Sequence, residues 1–124
     1  MRARIRNFID NIFFTPKPLP QGSFNGNHLL PDGQNCRLHL RIEANGEGLL
    51  VLNASTILHL NSSATELAYH LIKGTPREFL LKEMTRRYKT SPEQVENDLD
   101  IFIGRLDALV LSPDLDPESF LDID

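Results

Sequence analysis

At 124 residues, with 40 % hydrophobic and 24 % charged residues, the chain is sized for one domain with its own core. A net charge of −4 speaks against a general role on nucleic acid, where Lys and Arg must neutralise phosphates. Apolar runs such as residues 49–52 fall far short of the ~20 residues that span a bilayer, and the lone cysteine, Cys36, cannot form an internal disulfide, which fits a reducing cytoplasm.

Charge is unevenly spread. Arg2, Arg4 and Arg6 give a basic start, and Arg77, Lys82, Arg86, Arg87 and Lys89 a basic middle. Glu93, Glu96, Asp98, Asp100 and Asp107 make the last long helix acidic, and Asp114, Asp116, Glu118, Asp122 and Asp124 continue the trend. Solvated helix faces are the plain reading of such runs.

In chain order, Ile5, Phe8, Ile9, Ile12 and Phe13 fall on one face of a predicted amphipathic helix over residues 1–14. Its basic face raises a membrane-surface or targeting role. The missing continuous apolar stretch and Asp10 favour docking on this domain or on a partner. Residues 15–34 hold Pro16, Pro18, Pro20 and Pro31 with Gly22, Gly26 and Gly33, which predicts an irregular strap. The arm therefore comprises residues 1–35.

At Cys36 the pattern changes. Cys36, Leu38, Leu40 and Ile42 alternate with Arg37, His39, Arg41 and Glu43, the period of a half-buried strand. Asn45-Gly46 predicts a type I′ hairpin turn, with residues 49–52 as the return strand. Asn53-Ala54-Ser55 turns the chain again, and Thr56, Ile57, Leu58, His59 and Leu60 form a third short strand, placed at the sheet edge.

Three helices follow. Asn61-Ser62-Ser63 with Glu66 predicts a capped start, with Gly74 as the stop. Thr75-Pro76-Arg77-Glu78 reads as a capping box, and Phe79, Leu80, Met84 and Tyr88 supply the apolar positions behind it. Ser91-Pro92-Glu93-Gln94 repeats the device. Val95, Leu99, Phe102, Leu106 and Leu109 then run at 4-3-4-3 spacing down the third helix. Asp116-Pro117-Glu118 predicts one last turn, with Phe120 and Leu121 as contacts, in an acidic tail or junction over residues 111–124. The class is α+β: a three-stranded antiparallel sheet followed by a three-helix bundle, with the additional N-terminal helix.

Nothing is spaced for catalysis. His28, His39, His59, His70 and Cys36 match no metal-ligand spacing, so no metal or other cofactor is expected. Ser55, Ser62 and Ser63 near His59 read as turn and cap residues. Gly46-Glu47-Gly48 belongs to a hairpin, not a phosphate loop. The chain is expected not to be an enzyme.

A hairpin, a strand, Leu60-Asn61, and then Ala64, Leu71-Ile72, Gly74-Thr75, Leu81, Tyr88 and Asp98-Leu99 with Phe102-Ile103 and Leu106 resemble the PqqD-like family over residues 36–110. That family is also called the RiPP recognition element. The resemblance implies a winged-helix-like fold. It also implies a cytoplasmic peptide-binding module that holds the leader of a ribosomally made precursor and presents it to a modifying enzyme, often a radical SAM enzyme. The leader would dock as an added strand on Thr56, Ile57, Leu58, His59 and Leu60. Asp98, Ile101, Phe102 and Arg105, which share a helix face at i, i+3, i+4, i+7, would form the opposite wall. Phe102 would floor this groove, Ile101 line it, and Asp98 and Arg105 meet polar leader side chains.

The long arm and the tail depart from a minimal member. The arm could cover the groove, touch a partner enzyme, or exchange between two copies as a homodimer. The tail suggests fusion to a larger enzyme. Two other readings stand beside leader binding: a structural N-terminal domain without peptide binding, and a winged-helix DNA-binding protein. The acidic last helix, with Arg105 its lone cation, makes a poor DNA-recognition element.

Overall fold

A computed structural model of the chain describes residues 16–111. The predicted helix over residues 1–14 lies outside them, as does almost all of the acidic tail with its turn at Asp116-Pro117-Glu118. The described elements are β1 (Gly22–Leu29), β2 (Asn35–Ile42), β3 (Gly48–Leu52), β4 (Thr56–Leu60), α1 (Ser62–Lys73), α2 (Arg77–Tyr88) and α3 (Pro92–Leu111). They form an α+β fold in which one antiparallel sheet, in the order β1-β2-β3-β4, packs one face on the helices.

The sequence predicts three strands, whereas the sheet has four. Residues 22–29, expected as irregular strap, pair along their whole length with β2, from Gly22 opposite Ile42 to Leu29 opposite Asn35. Glycine and asparagine have low strand propensity, yet here tertiary packing decides. A Cβ on Gly26 would sit 2.9 Å from Ile72 Cγ2 and 3.0 Å from Ile72 Cα, so the glycine is what lets β1 lie against α1. Gly48 does the same on β3, where a Cβ would meet Thr65 Oγ1 at 2.7 Å.

The alternation read from β2 holds, with Cys36, Leu38, Leu40 and Ile42 all buried and their neighbours exposed. Leu50 and Leu52 of β3 and Leu58 and Leu60 of β4 extend the same face. Ala64, Leu67 and Ala68 of α1, Leu80, Met84 and Tyr88 of α2, and Val95, Leu99, Phe102, Leu106 and Leu109 of α3 close the core over it. Phe79, expected among the apolar positions of α2, is instead 65 % exposed.

Turn chemistry differs from expectation in one place. The Asn45-Gly46 loop has positive φ only at Gly46, and it closes through Gly46 N–H to Glu43 C=O and Glu43 N–H to Glu47 C=O. This is a three-residue hairpin loop with glycine in the left-handed position, not type I′. Type I′ geometry in φ belongs to the next turn, where Asn53 (φ 52°) and Ala54 (φ 62°) are both positive and Ser55 N–H donates to Leu52 C=O. Alanine in the left-handed region costs roughly 1–2 kcal/mol, of which glycine's greater chain entropy would return part. Ala54→Gly is therefore expected to stabilise the domain by about 0.5–1 kcal/mol, read as a higher urea midpoint at unchanged slope.

The helix starts were half legible. Asn61 caps α1 by accepting from Ala64 N–H at 3.0 Å, and Gly74 ends it in the left-handed conformation. Glu66 takes no part in that cap. It is 2 % exposed and accepts from Arg87 Nε at 2.6 Å, Arg87 Nη2 at 2.8 Å and Tyr88 Oη at 2.6 Å. Arg87 Nη2 also donates to Lys17 C=O at 2.6 Å, so this buried cluster ties α1, α2 and the strap together. Thr75 forms no capping box. The N-cap of α2 is Pro76 with no side-chain bond, and Thr75 Oγ1 instead lies 3.0 Å from His70 Nδ1. The Ser91 cap is real: Gln94 N–H donates to Ser91 Oγ at 3.1 Å.

Candidate functional site

β4 is an edge of the sheet, as the sequence predicts. Its register fixes which backbone groups face outward. Glu43 N–H bonds Glu47 C=O and Asn53 N–H bonds Arg37 C=O, so Leu49 and Val51 of β3 spend their N–H and C=O groups on β2. Alternation then turns Gly48, Leu50 and Leu52 toward β4, where they meet Leu60, Leu58 and Thr56. The main-chain groups of Ile57 and His59 are left pointing away from the sheet, with no strand beside them among the described residues.

The side chains of β4 divide by face. Leu58 and Leu60 are buried under the helices, while Ile57 (55 % exposed) and His59 lie on the outer face. Behind Ile57 on that face stands Val51, and behind His59 stands Leu49, both partly buried. Large apolar side chains on a solvent-facing strand mark a surface that can be covered. A depression of about 270 Å³, lined by Glu43, Glu47, Gly48, Leu49, His59 and Leu60, borders the end of β4. A larger one of about 610 Å³ lies elsewhere on the sheet, lined by Asn25, Asn27, Arg37, His39, Val51 and Ala54 among others.

On α3 the four residues of the expected wall are not equivalent. Phe102 is fully buried and belongs to the same hydrophobic core as Leu58 and Leu60. Asp98 is 2 % exposed and accepts from Gln94 Nε2 at 3.0 Å, which fixes it within the wall instead of presenting it to solvent. Ile101 is 36 % exposed and Arg105 partly so. The surface of the helix wall is therefore apolar at Ile101 and cationic at Arg105.

Two of the other histidines are engaged structurally. His28 Nε2 lies 2.7 Å from Asp107, and His39 Nδ1 lies 2.6 Å from Asn25. Burial lowers the pKa of His70, and burial together with Asp107 raises that of the Cys36 thiol. Burial and the Glu66 charge hold the Tyr88 hydroxyl far above the usual phenol range. Among the described residues no group of His, Cys, Asp and Glu is placed to hold a metal ion, and no helix is long and apolar enough to cross a membrane.

Sequence reasoning missed three features at this site. The division of β4 between backbone and side-chain functions needs the register of β3. The burial of Asp98 needs the width of the α3 stripe, which a helical wheel does not give. The apolar backing of Ile57 by Val51 needs the register of β3 against β4.

Comparison with curated proteins and with solved structures returns no match. A family model described as coenzyme PQQ synthesis protein D (PqqD) matches residues 48–111, just over half of the 124-residue chain. The matched segment opens at the first residue of β3, closes at the last residue of α3, and contains every residue of the edge and wall described above. By that match, the chain belongs to the PqqD family.

Proposed function

We propose that this protein binds the leader of a ribosomally made precursor peptide as a strand added to β4, and presents it to a modifying enzyme of the radical SAM type. The PqqD family is one of accessory, non-catalytic modules that bind peptides in such biosynthesis. The observation that carries the reading is the outward-facing backbone of Ile57 and His59 on an unbulged edge strand inside the family-matched segment. Main-chain bonds to such an edge supply affinity, and the side chains flanking it supply specificity.

In this reading a leader in extended conformation turns alternate side chains to the two faces. Those on the helix side meet Ile101 and Arg105, over a floor that includes Phe102. Those on the outer side meet Ile57 and His59. Thr56, Leu58 and Leu60 hold β4 to β3, and Asp98 accepts from Gln94 within α3. The acidic α3, whose Glu96 and Asp100 both pair with Arg77, gives duplex DNA no cationic face to approach.

Calorimetric titration with synthetic leader peptides tests the proposal. Saturable binding at a single site is expected, with a negative heat-capacity change from apolar burial. Absence of binding to the leaders encoded beside this protein would leave it a structural domain and sink the proposal.

A further inference from the structure

The sheet has two edges, and β1 is the longer of them. It runs for eight residues in unbroken antiparallel register with β2, whereas β4 has five. Edge strands of isolated proteins are guarded by Lys, Pro, bulges or inward-pointing charges. Gly22–Leu29 contains no Lys, no Pro and no bulge, and its outer-face side chains, Ser23, Asn25, Asn27 and Leu29, are all uncharged. Leu29 is 69 % exposed.

The register again fixes the backbone. Leu30 N–H bonds Gln34 C=O, so His28, Gly26, Phe24 and Gly22 turn their main-chain groups toward β2. Ser23, Asn25, Asn27 and Leu29 turn theirs outward, and no strand lies beside them among the described residues. The strand is also rigidly held. Phe24 packs edge-to-face on Tyr69 with centroids 5.1 Å apart, His28 meets Asp107 at 2.7 Å, and Leu30 plugs the core at 2 % exposure. A rigid edge loses little entropy when it is paired.

We propose that β1 is a homodimerisation edge, on which a second copy of this chain adds its own β1 antiparallel about a two-fold axis through Gly26. In that register Asn25 faces the second copy's Asn27, and Ser23 faces the second copy's Leu29. Every outward-facing residue of both strands thereby exchanges main-chain hydrogen bonds. The pairing is self-complementary, as a two-fold interface requires, and carries no like charges into contact. The two asparagine amides can bond each other on the outer face. One eight-stranded sheet results, with a β4 edge open at each end. The inference does not rest on leader binding, because β1 and β4 are opposite edges and β1 lies outside the family-matched segment.

Light scattering across a concentration series tests it. The full chain is expected to rise from 14.1 kDa toward twice that mass as concentration increases. Asn27→Lys, which sets two ammonium groups beside the axis, is expected to hold it at the monomer mass. Asn25→Pro should do the same without unfolding it, since the N–H removed points away from β2. In the unaltered protein the amides of Asn25 and Asn27 should exchange more slowly as concentration rises, a readout that needs no variant. Monomer mass at every concentration would overturn the proposal. So would a dimer that both folded variants leave intact, or slowed exchange confined to β4.

Discussion

Glu66→Ala is expected to destabilise the domain by about 3–5 kcal/mol. The Glu66 side chain is 3 % exposed and that of Arg87 15 %, so water cannot replace the lost partner. Alanine strands a guanidinium between helices and removes the acceptor of the buried Tyr88 hydroxyl. Glu66→Gln keeps an acceptor for Tyr88 but not the charge, and is expected to cost less. Because a small domain has only ~5–15 kcal/mol in total, Glu66→Ala is expected to lower the urea midpoint severely or leave the protein unfolded. A loss below about 1 kcal/mol would place the pair with solvent-screened surface ion pairs such as Arg86–Glu83.

The second large effect concerns binding, not folding. Ile101→Asp is expected to weaken leader affinity by roughly tenfold to a hundredfold, ~1.4–2.8 kcal/mol, by placing a carboxylate where an apolar leader side chain is desolvated. Ile101 is already 36 % exposed, so the same change should cost the fold only about 1 kcal/mol, most of it helix propensity and repulsion from neighbouring acids. Calorimetry for affinity and urea unfolding for stability separate the two. Equal losses in both would make Ile101 a core residue and remove it from the site.

How far the fold was legible depended on whether a segment's structure is written in its own periodicity. β2 alternates cleanly because one face of it is buried, β3 and β4 are marked by the turns that bound them, and α3 carries its stripe at helical spacing. β1 was illegible for the opposite reason. Its glycines and asparagines say loop, and Gly26 is required by the close approach of Ile72, a residue 46 positions away that no local window includes. The chemistry of Glu66 was misread by the same mechanism. Its position three residues beyond Ser63 fits a capping box, yet its partners, Arg87 and Tyr88, come from another helix.

The candidate site divides along the same line. That the strand ending in Leu60-Asn61 lies at an edge follows from the order of hairpins. Which of its residues offer backbone and which offer side chains follows only from the hydrogen-bond phase set by Glu43, Glu47 and Asn53, which flank strands earlier in the chain. On α3, the i, i+3, i+4, i+7 spacing of Asp98, Ile101, Phe102 and Arg105 says nothing of their depth. Phe102 and Asp98 are interior, and Ile101 and Arg105 are the surface.

Amide hydrogen exchange on β4, with and without leader peptide, tests the central claim most directly. Without leader, the N–H groups of Leu58 and Leu60 should be protected by β3, and those of Ile57 and His59 should exchange freely. Saturating leader should slow Ile57 and His59 by at least about tenfold while changing Leu58 and Leu60 little, the signature of a strand added at that edge. Bound leader that leaves Ile57 and His59 exchanging as before, or that instead protects Asn25 and Asn27 on β1, would contradict it.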